Sequence, residues 1–416
     1  MLISNELSIF DFVYAISEIV DLVSQDLNNH HKRVTYISYK IAQEMKLTEE
    51  EINDIVLSAI LHDIGAFSAQ ERIKIKMLEI YDSDANHHAE IGSKLIKRFK
   101  HFDNVAEIVR YHHTNFDSSR PEIPLGSYII HLADILSFIL DENREILGQV
   151  KEIHEKIDNK RSWFHPDTLS ALKSLSKLEC FWYEACSPTI DIIFPKRVLE
   201  SKGTINSIAL RDFAKIIACL IDFRSKFTAT HSSGVAVVAS EIAKISGFTA
   251  RECGLAEISG YLHDIGKLAI SNEILEKKGA LNNKEHNAIR KHTYYTYSVL
   301  NKITGLEQVA ILASHHHERP DGKGYPFHVK GDDFSKLARI VAVADVATAI
   351  TEDRPYRLGM SSEEALKALC DMAENGKIDK DIVKIVEENF SQINDARIKA
   401  QKDASEEYDI FAIGKQ

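Results

Sequence analysis

Apolar residues recur at the three- and four-residue spacing of α-helices along most of the chain. The clearest helical stretches, in chain order, are Ser8–Asn28, Val34–Met45, Glu49–Leu61, Val235–Ala239 continued by Glu241–Ile245, and Glu363–Glu374. The alternating pattern of a strand is nearly absent, and its best candidate is a short stretch around Thr189–Phe194 with an extension toward Val198. The pattern predicts an all-α fold.

The first twenty residues, MLISNELSIFDFVYAISEIV, carry acidic residues at helical spacing. They lack the basic start and the small-residue cleavage site of a signal peptide, and therefore favour an amphipathic surface helix. No stretch reaches the roughly 18 consecutive apolar residues that a membrane span needs. We expect a soluble, cytoplasmic protein with no membrane partner.

The composition narrows the class of protein. A length of 416 residues suggests two or three domains, and 44% hydrophobic residues suffice for full cores. The scarcity of glycine (18) and proline (8) again favours helices. A formal charge of -11 provides no basic surface for a DNA or RNA backbone, so a nucleic-acid polymer is not an expected partner. The five cysteines include no CxxC pair and fit a reducing compartment.

Histidine, with 19 copies, reveals an internal repeat. A histidine, an LHDIG segment, a second histidine, a histidine pair and an aspartate occur twice in the same order. The first series is His31, His62–Asp63, His88, His112–His113 and Asp134, and the second is His231, His263–Asp264, His292, His316–His317 and Asp345. The steps between them are 31, 26, 24 and 21 residues in the first half and 32, 29, 24 and 28 in the second. The chain is therefore interpreted as a tandem duplication.

The boundary between the copies falls near residues 190–205, where Pro188, Pro195 and Gly203 interrupt the helices. We expect two helical domains, at residues 1–195 and 200–405.

The repeated residues are metal-ligand types. Imidazole nitrogen and carboxylate oxygen together suit divalent Fe, Mn, Co or Ni. A lone histidine on an apolar helix is usually a core or surface residue, but here seven such residues recur as a set. Several of them follow apolar runs, where an unpartnered polar group is costly. Five histidines and two aspartates exceed the needs of one ion, and with one bridging aspartate they suit two metals about 3.5–4 Å apart.

Three segments of the second half carry a resemblance to a known family. They are HDIGK (His263–Lys267), HHERPDGKGYP (His316–Pro326) and DRPYR (Asp353–Arg357). From about Phe213 to Val386 the chain resembles the HD-GYP domain, a branch of the HD metal-dependent phosphohydrolases. The resemblance implies a helical core with two or three metal ions, often iron or manganese. It also implies phosphodiesterase activity on cyclic dinucleotides, principally cyclic di-GMP, with some members preferring cyclic GMP-AMP.

Three positions depart from the family pattern. Phe227 replaces the glutamate that members with three metals place four residues before the first histidine, so we expect two ions. Thr230 and Thr296 replace two usual glycines and bear on pocket shape and substrate identity.

The resemblance and the residue types together define a candidate catalytic site. The expected metal ligands are His231, His263, Asp264, His292, His316, His317 and Asp345. Asp264 would bridge two ions that activate the attacking water. Lys267 lies one turn beyond His263 on the same helical face, where it can supply a proton or a cation to the leaving ribose oxygen, although a lysine elsewhere would be read as a solvated surface residue.

The family implies that Arg354 and Arg357 hold the substrate phosphate that is not cleaved, and a guanidinium fork suits that task. An arginine pair taken alone would mean little. Gly324 and Tyr325 belong to a glycine-containing loop that either lines the pocket and orients a base or serves as a surface for protein partners.

The first copy keeps the ligand types as a candidate second metal site, formed by His31, His62, Asp63, His88, His112, His113 and Asp134. The lysine position is Ala66, residues Thr114–Asp117 follow His113 without a GYP loop, and no DRPYR follows Asp134. This copy resembles only the broader HD superfamily. A regulatory or structural metal, a different phosphate ester and an empty duplicated site all remain open.

The leading interpretation is a cyclic-dinucleotide phosphodiesterase, with cyclic di-GMP favoured over cyclic GMP-AMP. A nucleoside phosphate is a second substrate class, against which the GYP and DRPYR segments argue. The third interpretation is a metal-stabilised scaffold that docks signalling proteins through the GYP face. The intact HDIGK segment argues against it.

Overall fold

The computed structural model of the chain describes residues 7–8, 13–14, 29–66, 86–99, 102–187, 204–205, 207–224, 230–275, 277, 279–353 and 358–412. The chain divides into two compact units. One is Ser8–Gly203, called here the N-terminal unit, and the other is Met1–Leu7 with Thr204–Gln416, called the C-terminal unit.

The described part of the N-terminal unit is helical. Its α-helices are His30–Glu44, Glu49–Leu61, Asn86–Ile96, Asp103–Arg110, Leu125–Ile139, Val150–Asn159, Pro166–Leu175 and Glu179–Ala185, with short 3₁₀ turns at Leu147–Gln149 and Arg161–Trp163. The helix His30–Glu44 packs against Glu49–Leu61 and Leu125–Ile139, and Asn86–Ile96 packs against Asp103–Arg110. Phe164, Phe181 and Trp182 lie in the core of this unit, so the helices after Ile139 complete its packing.

The C-terminal unit is helical as well. Its α-helices are Ser207–Arg224, His231–Ile245, Ala250–Leu262, Asn272–Leu275, Asn283–Leu300, Glu307–Ser314, Lys336–Thr351, Ser362–Glu374, Lys380–Glu388 and Phe390–Ala412, with 3₁₀ turns at Ile265–Ala269 and Gly331–Asp333. The helix His231–Ile245 packs against Ala250–Leu262, Lys336–Thr351 and Phe390–Ala412. Two-residue strands lie at Leu7–Ser8 and Thr204–Ile205.

The prediction of an all-α fold is confirmed, and the described helices include the predicted stretches from Val34 onward except Met45, which is the C-cap of His30–Glu44. The strand candidate Thr189–Phe194 and nearly all of Ser8–Asn28 lie outside the described residues. In the part of the chain that the structure describes, no helix is both long and apolar enough to cross a membrane.

The helix that precedes each His–Asp pair begins with the same local device. Thr48 and Glu51 form a capping box before Glu49–Leu61, and Thr249 and Glu252 form one before Ala250–Leu262. In each box the threonine side chain accepts from the backbone N–H three residues later, and the glutamate accepts from the threonine N–H. Both helices have 13 residues, and the histidine of the pair is the C-cap residue that follows the last of them. Local sequence therefore determines where the HD residues stand.

The turn after each pair packs closely against a second histidine-bearing helix. A Cβ at Gly266 would overlap the carbonyl oxygen of His292, and one at Gly65 would overlap that of His88. Thr296 reinforces the C-terminal contact, because its hydroxyl oxygen accepts from Gly266 N at 3.1 Å and donates to the His263 carbonyl at 2.9 Å. The absence of a side chain at Gly266 and Gly65 therefore lets the helices that carry His292 and His88 approach the His–Asp pairs.

Candidate metal centre and active site

Three histidines of the C-terminal unit share one orienting contact. In His263, His292 and His316, the Nδ1 atom lies 2.6–2.7 Å from the backbone carbonyl oxygen of the residue three positions earlier. A carbonyl oxygen can only accept, so Nδ1 is the donor and Nε2 keeps its lone pair for another partner. Each of these histidines thus keeps its Nε2 atom available to the interior of the unit, which is the arrangement that metal-binding histidines usually have.

Asp264 lies between these nitrogen atoms. Its Oδ2 atom is 3.2 Å from His263 Nε2, and its Oδ1 atom is 3.4 Å from His292 Nε2 and 3.9 Å from His316 Nε2. The Nε2 atoms of His292 and His316 are only 3.1 Å apart. Among the described residues, Asp264 Oδ1 is buried and makes no hydrogen bond. A buried carboxylate oxygen facing several imidazole lone pairs is a position that a cation would satisfy.

His231 and Asp345 complete the cluster. His231 begins the helix His231–Ile245, and its Nε2 atom lies 3.1 Å from Oδ1 of Asp345. Its Nδ1 atom lies 3.0 Å from Oε2 of Glu352, a buried residue immediately after the helix Lys336–Thr351. The same Asp345 oxygen is 3.9 Å from His263 Nε2.

The candidate ligands form two adjacent groups with atoms close enough to share an ion. One contains His231, His263 and Asp264, and the other contains His292, His316 and His317. Asp264 belongs to the first group and also lies near His292 and His316 of the second, so the donor set fits a metal centre around this carboxylate. The structure therefore brings together all seven residues that the sequence predicts as ligands.

The electrostatics of the second group suit metal binding. Burial lowers the pKa of His292 to about 3 and holds the pKa values of His316 and His317 below their usual range. These imidazoles are therefore neutral, as ligation requires. Burial by itself would lower the pKa of His231, but Glu352 and Asp345 outweigh it and raise that pKa to about 10. The same carboxylate charge would attract a divalent cation.

The N-terminal unit repeats the arrangement. The Nδ1 atoms of His62 and His112 lie 2.7 and 2.6 Å from the carbonyl oxygens of Ala59 and Val109. His88 Nε2 lies 3.2 Å from Asp63 Oδ1 and 2.8 Å from His113 Nε2. Three groups have ligand atoms within 4.8 Å of one another, namely Asp63 with His88, His112 and His113, His31 with His62 and Asp63, and His30 with His62 and Asp134. All of the predicted ligands of this copy therefore lie in one buried cluster.

Comparisons with known proteins agree with the duplicated centre. Models of the HD domain match residues 215–382 and residues 28–139. A 3′3′-cGAMP-specific phosphodiesterase 1 of Vibrio cholerae is 30% identical over 397 residues, which cover 91% of this chain and 91% of that protein. The chain belongs to the HD-GYP phosphodiesterases. The predictions of two tandem HD domains and of a phosphodiesterase are confirmed.

Other HD-GYP relatives and one solved structure extend the comparison. A 3′3′-cGAMP-specific phosphodiesterase 3 of Vibrio cholerae is 25% identical, with 89% of this chain and 92% of that protein covered. A cyclic di-GMP phosphodiesterase of Pseudomonas aeruginosa is 37% identical, with 38% of each chain covered. The crystal structure of a cyclic GMP-AMP specific phosphodiesterase of Vibrio cholerae, V-cGAP3, shares the fold with a TM-score of 0.64 and 22% identity, and the match covers 93% of this chain and 98% of that one.

The HDIGK lysine contacts the HD-GYP centre directly. Lys267 lies in the 3₁₀ turn Ile265–Ala269, and its Nζ atom forms an ion pair of 2.5 Å with Asp264 Oδ2. Burial would lower the pKa of Lys267, but the Asp264 carboxylate outweighs it and raises that pKa above its usual value. At the equivalent position of the first copy, Ala66 makes the same turn with a backbone bond of 2.9 Å to Asp63 but has no charged group.

The GYP loop lies against the same centre. The Tyr325 ring centroid is 5.0 Å from that of His317, and Tyr325 N donates to the His317 carbonyl at 3.2 Å. The Tyr325–Pro326 peptide bond is cis. Gly324 is buried where a Cβ would overlap the backbone of Glu318, whose carboxylate accepts from Phe327 N at 2.7 Å and His328 N at 3.1 Å. The loop is therefore held in place from the residue that follows the histidine pair.

Arg354 and Arg357, predicted to bind substrate, lie outside the described residues, as does Phe227. Two residues of the centres were missed from the sequence. His30 lies 3.2 Å from Asp134, and its 32-residue step to His62 equals the step from His231 to His263. Glu352 follows Asp345 by seven residues, about two turns of the helix Lys336–Thr351 that ends just before it.

Proposed function

We propose that the C-terminal unit hydrolyses a phosphodiester bond of a cyclic dinucleotide, with cyclic di-GMP and 3′3′-cyclic GMP-AMP as the two candidate substrates. The observation that carries the proposal is the contact of Lys267 with Asp264, the carboxylate on which both candidate ligand groups converge, beside the GYP loop. A scaffold would have no use for a charged lysine at that carboxylate.

Two divalent ions, iron or manganese, would be held by seven residues, namely His231, His263, Asp264, His292, His316, His317 and Asp345. When bound, such ions supply an activated water nucleophile and a Lewis acid for the phosphoryl oxygen. The burial of the donor set keeps bulk water away from it, which strengthens every charge interaction inside.

The side chains of the chain itself would direct the cleavage. Asp264 orients the Lys267 ammonium toward the centre, where it can neutralise or protonate the leaving ribose oxygen. Tyr325 forms part of the wall beside His317. We assign to Arg354 and Arg357 the phosphate that is not cleaved, because a guanidinium offers paired donors for phosphate oxygens.

The relatives support both candidate substrates. The two Vibrio cholerae proteins that match along about nine-tenths of this chain are named as specific for 3′3′-cGAMP. The relative from Pseudomonas aeruginosa, which is more nearly identical over a shorter stretch, is named as a cyclic di-GMP phosphodiesterase. The two activities differ by one base, so a pocket contact outside the metal centre must discriminate between them.

For the first copy we propose a metal site without cyclic-dinucleotide hydrolysis, in a domain of residues 1–195 that precedes the catalytic domain of residues 200–405. The buried ligand cluster supports the metal, and Ala66 in place of the lysine argues against turnover. The exposed rim of the GYP loop, where Phe327 is 38% exposed, is the surface that we assign to protein partners.

The test is a product analysis. The full chain, metallated without oxygen, is incubated separately with cyclic di-GMP and 3′3′-cyclic GMP-AMP, and linear dinucleotides and mononucleotides are separated by chromatography. We expect hydrolysis of at least one of them and its loss on addition of a strong chelator. No product from either substrate, or full activity with the chelator, would contradict the proposal.

A further inference from the structure

A cavity of about 540 Å³ opens beside the GYP loop in the C-terminal unit. The helix Asn283–Leu300 forms one wall, and the loop forms another with Tyr325 and Pro326. The helix residues of the wall are Asn287, Arg290, Lys291, Tyr294 and Tyr295. They follow the spacing i, i+3, i+4, i+7 and i+8, which places them on one face. The cavity is therefore formed by one face of this helix and the GYP loop.

The cavity and the candidate metal centre share a wall. The ring of Tyr325 lies 5.0 Å from the ring of His317, and the guanidinium carbon of Arg290 lies 4.5 Å from the centroid of the same Tyr325 ring. The helix that carries Arg290 also carries His292, whose Nε2 atom faces Asp264. Tyr325 therefore contacts a candidate metal ligand and also lines the cavity.

The chemistry of the lining selects a kind of ligand. Arg290 and Lys291 are cationic, Tyr294 is 53% exposed, and no acidic residue is among the described residues that line the cavity. Aromatic rings and guanidinium planes bind nucleobases by stacking, and the positive charge suits a dinucleotide with two phosphates.

We propose that this cavity binds one nucleobase of the cyclic dinucleotide, with Tyr294 and Arg290 as base-stacking residues. The assignment rests on the proposed function, because it takes the substrate to be a cyclic dinucleotide. A volume of about 540 Å³ falls in the range of small-molecule sites and accommodates a purine with its ribose. The contact of Arg290 with Tyr325 holds the guanidinium in place before substrate arrives.

The experiment compares nucleotide and base-free substrates on the full metallated chain. Steady-state kinetics are measured for 3′3′-cyclic GMP-AMP, for cyclic di-GMP and for methyl 4-nitrophenyl phosphate, a diester without a nucleobase. The readout is the kcat/KM for the better cyclic dinucleotide divided by the kcat/KM for the base-free diester. For Tyr294→Ala we expect this ratio to fall about 5- to 150-fold, which corresponds to the loss of one stacking contact. The fall should come mainly from a higher KM for the cyclic dinucleotide. Arg290→Ala should lower the same ratio.

Matched variants separate stacking from general damage. Tyr294→Phe retains the ring and should keep the ratio within about twofold of the parent. Tyr183→Ala, at a tyrosine that is 48% exposed in the N-terminal unit, and Arg251→Ala, at an exposed arginine, control for the substitutions themselves. A ratio unchanged in both Tyr294→Ala and Arg290→Ala would overturn the proposal, and so would an equal loss on all substrates. A parent that cleaves the base-free diester but neither cyclic dinucleotide would instead overturn the proposed function, and this assignment with it.

Discussion

Among single residues, Asp264 has the contacts that join the two candidate ligand groups. One of its oxygens faces His263 and Lys267, and the other faces His292 and His316. Replacement by alanine removes the shared carboxylate and leaves the imidazoles without a common negative partner. We expect Asp264→Ala to lose the metal of the C-terminal unit and all cyclic-dinucleotide turnover, as measured by elemental analysis and product formation. Parental turnover in this variant would exclude Asp264 as a bridging ligand.

Lys267 contacts the same carboxylate, yet its side chain is not a candidate ligand. Lys267→Ala should therefore keep the metal content while slowing hydrolysis about 10²–10⁴-fold, the usual cost of losing a general acid. The measurement is kcat beside elemental analysis. Lys277→Ala, which breaks an ion pair with Glu285 at the surface, serves as the matched control and should behave as the parent. A Lys267→Ala variant as active as the parent would remove this lysine from the mechanism.

Glu352 contacts His231, and we expect it to act by orienting that histidine. Its carboxylate receives the His231 Nδ1 contact at 3.0 Å and also accepts from Gln401 Nε2 at 3.1 Å. Partners that orient a ligating histidine typically contribute about 10–100-fold to metal affinity or activity. We expect Glu352→Gln to weaken metal affinity within that range, as followed by competition with a chelator. Glu388→Gln, at an exposed glutamate, should have no effect; equal affinity in both variants would contradict the role.

At the scale of elements, the interlock between the HDIGK turn and the helix Asn283–Leu300 depends on a missing side chain. Gly266→Ala would force a methyl group against the His292 carbonyl and push the turn away from the helix. Such overpacking typically destabilises by about 1–3 kcal/mol, and here it would also displace His292. The thermal unfolding temperature and the metal content of the Gly266→Ala variant should both be lower than those of the parent.

Gly254 provides the matched control for this element. It lies within the helix Ala250–Leu262, and a Cβ there would meet no atom within 4 Å. Gly254→Ala should be neutral or stabilising by up to about 1 kcal/mol, because alanine loses less backbone entropy in a helix. Similar unfolding temperatures for the two variants would show that the close approach at Gly266 is not maintained in solution.

At the scale of the whole molecule, we expect both copies to bind metal and only the C-terminal copy to hydrolyse a cyclic dinucleotide. Asp63→Ala in the first copy should lower the total metal content of the chain while cyclic-dinucleotide hydrolysis continues, since the Lys267 position there is Ala66. The decisive comparison is Asp264→Ala against the double variant Asp63→Ala/Asp264→Ala, assayed on both cyclic dinucleotides. Residual turnover in the single variant that disappears in the double variant would show that the first copy is an enzyme.

The sequence by itself determined the helices, the duplication and the ligand types, because each of these depends on residues close together in the chain. The capping boxes at Thr48 and Thr249 begin helices of equal length, and the repeated histidine order survives in both copies. The family followed from short motifs, and the comparisons confirm it. The roles of Arg354 and Arg357 remain predictions.

Only the tertiary structure decided which side chains meet across long stretches of chain. His30 contacts Asp134 from 104 residues away and Glu352 contacts His231 from 121 residues away. Helical spacing defines the face that a residue occupies, but the partner on that face depends on how helices pack. The same packing brings Arg290 against Tyr325 and so makes the cavity beside the GYP loop. Helix packing depends on the burial of residues throughout the unit, so these contacts cannot be derived from a local sequence pattern.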